Sequence, residues 1–111
     1  MKIKVKREFS IGATKAHIIK ISHLHSDEGY NGTYNKRTEV LEIEAHSNGA
    51  KRDRTFGHEI MEVIKENYSL ETSEDDMTCI ANGWLEFLWQ LGVEFDWSDI
   101  KEVHSNTYEK P

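Results

Sequence analysis

Val40-Leu41-Glu42-Ile43-Glu44-Ala45-His46-Ser47-Asn48-Gly49 changes period along its length. Up to Ala45 it alternates as a strand does, and Ser47-Asn48-Gly49 then punctuates the chain. Beyond it, Phe56, Ile60, Val63 and Ile64 fall at i, i+4, i+7 and i+8, the stripe of a helix predicted from about Lys51 to about Asn67. A β-like half therefore meets a helical half. On the N-terminal side, Tyr30 to Tyr34 and Val40 to Ala45 flank a turn at Asn35-Lys36-Arg37, which predicts a hairpin from Gly29 to Ala45. Asp27-Glu28-Gly29 is a further turn signal. Residues 16–24 read first as a strand and second as a short helix, and Ile3 and Val5 alternate with lysines as a half-buried strand does.

On the C-terminal side, Ser73 followed by Glu74-Asp75-Asp76 is a helix start, a serine cap and then acids against the positive end of the dipole. Met77, Ile80, Ala81, Trp84, Leu88 and Leu91 form the predicted core stripe of a helix from Ser73 to Leu91, which Gly92 ends. Phe95-Asp96-Trp97 reads as a short hydrophobic clasp, and the tail from about His104 to Pro111 as frayed. The expected architecture is α+β: a small antiparallel sheet of three to four strands followed by two packed helices, in one domain spanning residues 1–111.

Composition narrows the function. With 14 basic and 20 acidic residues the net charge is −6, which argues against a nucleic-acid partner and leaves room for a partner protein with a basic surface. The lone Cys79 excludes a disulfide scaffold and a four-cysteine zinc site. No apolar run approaches the roughly 20 residues that cross a membrane. The basic start, Met1 to Arg7, is followed by no apolar signal core, so a cytoplasmic protein is expected.

Chemistry concentrates in Thr55-Phe56-Gly57-His58-Glu59-Ile60-Met61-Glu62. On a helix, His58 and Glu62 stand one turn apart on one face and can grip one ion. Glu59, about 100° around, is placed to reach a water on that ion as general base. This is the logic of H-E-x-x-H, here written H-E-x-x-E because Glu62 replaces the second histidine. One histidine with carboxylates leans, by donor type alone, toward manganese, iron or magnesium.

The order of these segments resembles the small zincin-like metallopeptidases of phages and mobile elements related to the ImmA/IrrE family. The matching stretches are the Gly32-to-Ile43 hairpin, Thr55-Phe56-Gly57-His58-Glu59-Ile60, and the helix Glu74 to Leu88, so the resemblance spans roughly residues 29–91. It implies a minimal zincin-like fold and a metal-dependent peptide hydrolase. Zinc is the first choice of cofactor, with manganese or iron as alternatives. The resemblance makes His58 the first ligand, Glu59 the catalytic base and Glu62 the replacement for the second histidine. The third ligand falls to Asp75 or Asp76 on the second helix. The substrate is a peptide or a host protein, paired along the hairpin edge around Val40–Glu44. The competing expectation is a catalytically inactive, acidic binding or inhibitor protein that acts on a host protein.

Each residue also has a plainer reading. His58, Glu59 and Glu62 suit a solvated helix face. His23 and His25, with His17 and His46, suggest a second metal cluster, although such residues are more often exposed or singly hydrogen-bonded. Cys79 reads as a small half-buried side chain, Trp84 and Leu88 as core, Trp89 as a contact surface, and Lys51-Arg52-Asp53-Arg54 as a solvated first turn.

Overall fold

The computed structural model describes residues 1–104, apart from the side chains of Asp27 and Glu28. Ten elements follow one another: β1 (Lys2–Lys4), β2 (Glu8–Ile11), β3 (Thr14–Ser22), α1 (Leu24–Glu28), β4 (Gly32–Asn35), β5 (Val40–Glu44), α2 (Gly49–Tyr68), α3 (Glu74–Gln90), β6 (Glu94–Asp96) and β7 (Glu102–His104). The α+β class and the two long packed helices are as expected. Among the described residues no helix is long and apolar enough to cross a membrane. His104 ends a strand, and the rest of the tail expected to fray lies outside the described residues.

The predicted hairpin forms, with β4 antiparallel to β5 and Gly32 opposite Ile43. The sheet, however, is mixed, with five strands rather than three or four. β2-β3-β5-β4 is its order, β3 pairs parallel with β5, and β7 pairs parallel with β3. The reason is the crossing between β3 and β4. α1 carries the chain past one strand position, and the hairpin return then slots β5 in between. β5 is therefore interior, buried along its whole length, and cannot offer an edge to a peptide; the edge is β4. The turn signal at Asp27-Glu28-Gly29 is the end of α1, closed by Gly29 at φ 83° with its N–H on the His25 carbonyl. β2, Glu8-Phe9-Ser10-Ile11, alternates exposed and half-buried residues. Its hairpin with β3 turns at Gly12 (φ 57°), and the Asn67 amide of α2 clamps it, donating to the Ile11 carbonyl and accepting from the Ala13 N–H at 3.1 Å.

One core joins sheet and helices. Val5, Ile18, Leu41, Ile43, Trp97 and Ile100 are buried together, and Phe56 and Ile60 of α2 pack against them. The expected clasp does pin the N-terminus: β6 pairs parallel with β1 and Trp97 stacks edge-on to Phe56. Asn48 caps α2 by accepting from the Lys51 N–H at 2.8 Å, and Ser73 caps α3 by accepting from the Asp76 N–H at 3.1 Å.

The core stripe of α3 is rotated from the expected one. Met77, Ala81 and Leu85 are buried, whereas Ile80, Trp84, Phe87 and Leu91 are exposed, Trp84 to 63%. Cys79 is exposed too. Gly57 explains the rotation. A Cβ there would lie 3.1 Å from Leu85 Cδ1 and 3.4 Å from Ala81 Cβ, so the bare backbone of α2 draws the smaller residues of α3 inward. The tryptophans exchange roles. Trp89 turns in and donates its indole N–H to Asp53 Oδ2 at 3.3 Å, while Trp97 donates to Asp53 Oδ1 at 3.1 Å. The first turn of α2 is thus not simply solvated: Asp53 is buried, and Arg52 donates to the carbonyls of Ala45 and Ser47.

Candidate metal centre

The close contact at Gly57 also decides what stands beside His58. It brings the first turn of α3 against the middle of α2, where His58 and Glu62 share one face. Glu74 reaches across, its Oε2 3.0 Å from His58 Nε2, and Glu62 Oε1 lies 3.8 Å from the same nitrogen. One ligand atom from each of His58, Glu62 and Glu74 falls within 4.8 Å of the others. Among the described residues this is the one group so placed. The other ring nitrogen, His58 Nδ1, is 3.1 Å from Thr78 Oγ1 one turn along α3. Such a partner fixes ring orientation, as outer partners do in metal sites.

The third member is therefore Glu74, not Asp75 or Asp76, which do not join the group. Sequence reasoning took Glu74 as the first of three dipole-facing acids. The choice among them depends on the rotation of α3 about its axis, and the acids are about 100° apart in that rotation. The signal that could have found it is Gly57, which fixes the rotation.

The electrostatics fit an anionic cluster. Burial raises the Glu62 pKa, and its hydrogen bond with Glu74 and the Glu74 charge raise it further. The Glu74 pKa is lowered, first by that hydrogen bond from Glu62 and also by His58. Glu62 therefore binds a proton more readily than an ordinary glutamate, and Glu74 less readily.

Glu59 departs from the plain reading as a solvated group, being only 8% exposed. The hairpin seals it in. Gly32 of β4 lies so close to α2 that a Cβ there would collide with Thr55 Cγ2 and come within 3.6 Å of Glu59 Cγ. Burial first, and then the charges of Glu62 and Glu74, push the Glu59 carboxyl up to about 7. Beside this cluster, a cleft of about 410 Å³ runs between the hairpin and α2, with Thr33, Tyr34, Glu42 and Glu62 in its walls.

The donor set can hold a metal ion. Two ligands on a tetrahedral ion at bonds of about 2.0–2.2 Å stand roughly 3.4 Å apart, and the 3.0 and 3.8 Å separations at His58 bracket that value. No protein-family model, curated protein or solved structure matches the chain.

Proposed function

We propose that the chain is a minimal zincin-like domain that hydrolyses peptide bonds with a divalent metal, zinc in the first instance, held by His58, Glu62 and Glu74. The observation that carries the reading is the convergence of these three side chains beside the buried Glu59. Zinc, when bound, supplies Lewis-acid polarisation of the scissile carbonyl. His58 binds through Nε2 while Thr78 holds Nδ1. Glu62 and Glu74 bring the negative charge that a divalent ion balances. Glu59 takes a proton from the attacking water and delivers it to the leaving amine, a task that suits a group titrating near neutral pH. The edge strand β4 and the adjoining cleft receive the substrate, an extended peptide adding to the sheet by main-chain hydrogen bonds.

The test compares wild type, His58→Ala and Glu59→Gln for zinc content and for cleavage of a denatured-protein mixture with added zinc or manganese. Wild type and Glu59→Gln should hold equal metal, His58→Ala should hold one equivalent less, and wild type alone should cleave. A wild type that cleaves nothing and loses no metal on His58→Ala overturns the peptidase reading.

The second reading, an inactive acidic protein that binds a host protein, is favoured by one observation. Ile80, Trp84 and Phe87 form an exposed apolar face on α3, a helix that carries Glu74, Asp75, Asp76 and Glu86 and no lysine or arginine. The partner that suits it is an apolar groove with a basic rim.

A further inference from the structure

Three neighbouring parallel strands each have a histidine at or just beyond the same end. At one end of the sheet β7, β3 and β5 lie side by side with β3 in the middle. His104 closes β7, His23 directly follows β3, and His46 stands just beyond β5. The register that pairs Ser22 with His104 and Ile21 with Glu44 carries all three to the same end. The ring centre of His23 is 4.6 Å from that of His104 and 6.2 Å from that of His46. Two imidazoles bound to one ion hold their ring centres roughly 4.5–6.5 Å apart, depending on the angle at the ion. A carboxylate completes the set, with Glu102 Oε2 3.7 Å from His46 Nε2.

Two further features show that the cluster is built rather than incidental. Glu44, buried beneath it, accepts the backbone N–H of His25 and of His46, each at 3.0 Å, and so ties the chain leaving β3 to the chain leaving β5. His23 itself adopts φ 62°, the left-handed conformation that costs a residue with a Cβ about 1 kcal/mol or more. It precedes α1 yet makes no capping bond with its side chain, so helix capping does not account for it. What the conformation achieves is to set the imidazole between the other two. The carboxyl ends of parallel strands are also where open sheets bind their ligands.

We propose that His23, His46 and His104, with Glu102, form a second metal site, for an ion that prefers imidazole, such as zinc, nickel or copper(II), over magnesium or calcium. His23 and His46 are exposed, and rotation about their side-chain torsions would bring their nitrogens together. Glu44 and Glu102 outweigh Lys51 at the rim of the surrounding cleft, so the local charge favours a cation. His17 and His25, grouped with His23 and His46 on sequence spacing, are not needed: His17 sits against Glu8 at 3.2 Å, and His25 is on α1.

The experiment uses the full chain carrying His58→Ala, so that the first site is gone and the result does not depend on the peptidase reading. Zinc is titrated calorimetrically at about pH 7.5, above the ordinary imidazole pKa. One equivalent should bind. Adding His23→Asn or His104→Gln should weaken it by at least about tenfold, the lower bound for disturbing a metal site, while adding His17→Asn should not. Asparagine tolerates a positive φ, so His23→Asn removes the imidazole and keeps the backbone. A measurement free of further variants is the histidine ring spectrum of the isotope-labelled His58→Ala protein. The resonances of His23, His46 and His104 should move together as one equivalent of zinc is added. No zinc bound, or affinity unchanged in both variants, overturns the proposal.

Discussion

Helices α2 and α3 break the polar-outside rule in opposite directions. α2 buries two acids, Asp53 and Glu59, while α3 leaves Ile80, Trp84 and Phe87 in solvent. The two buried acids are not alike either. Asp53 has both oxygens on indole N–H groups, so its burial is structural. Glu59 is raised by burial and by the neighbouring charges of Glu62 and Glu74, so holding its carboxylate there costs stability. On α3, the apolar face has no partner within the described residues, and the phase of the helix was settled by the tighter fit at Gly57. Burial on this protein therefore tracks backbone approach more than side-chain polarity.

The largest expected effect separates the two faces of α3. Met77→Ala, at a fully buried position, should lower stability by about 2–5 kcal/mol, read as a fall in the denaturation midpoint with unchanged slope. A loss below about 1 kcal/mol would show that the helices pack more loosely than their contacts imply.

Next comes the contrast between the two buried acids, tested by pH. In metal-free protein the folded Glu59 binds a proton more tightly than the unfolded one. Stability should therefore be highest at or below the ordinary glutamate value of 4.5, fall as pH rises toward about 7, and level off above it. At about 1.36 kcal/mol per pKa unit, the fall attributable to Glu59 is on the order of 3 kcal/mol. Glu59→Gln should abolish that slope and stabilise the protein above neutral pH. Glu44 acts in another window. Burial opposes its charge, but the backbone N–H groups of His25 and His46 hold its pKa low, so its contribution is lost only as pH drops through that lowered value. A Glu59→Gln protein with the wild-type slope between 4.5 and 7 would mean that the carboxyl is solvated.

The smallest effect sharpens the same comparison from the outer face. Trp84→Ala should change stability by no more than about 0.5 kcal/mol, as surface substitutions do, against the cost of about 3–5 kcal/mol for truncating a buried aromatic. The Trp84 fluorescence should report a solvated indole. A large loss of stability would place the side chain in a contact within this chain.

The candidate site was half legible before the fold was known. His58, Glu59 and Glu62 follow from helical spacing, because spacing within one helix is fixed by 3.6 residues per turn. Glu74 and Thr78 come from a second helix, and which of its faces turns inward is a tertiary matter. The expected stripe spanned two adjacent faces: its Met77 and Ala81 are buried, with Leu85, while its Ile80, Trp84 and Leu91 are exposed. In the same way His23 and His46 stood out, with His17 and His25, on sequence spacing, whereas His104 did not, since nothing local announces that β7 pairs parallel with β3.

The sequence by itself determined the α+β class, the hairpin from β4 to β5, both long helices with the Ser73 cap of the second, and the pair His58 and Glu62 on one face. Each of these rests on interactions a few residues apart, where side-chain period, turn chemistry and capping act directly on the backbone. Only the tertiary structure decided the strand order, the burial of Glu59, the arrival of Glu74 beside His58 and the meeting of the three strand-end histidines. Those depend on which surfaces can approach most closely, and here the deciding contacts are made where side chains are missing, at Gly32 beneath Glu59 and at Gly57 between the helices.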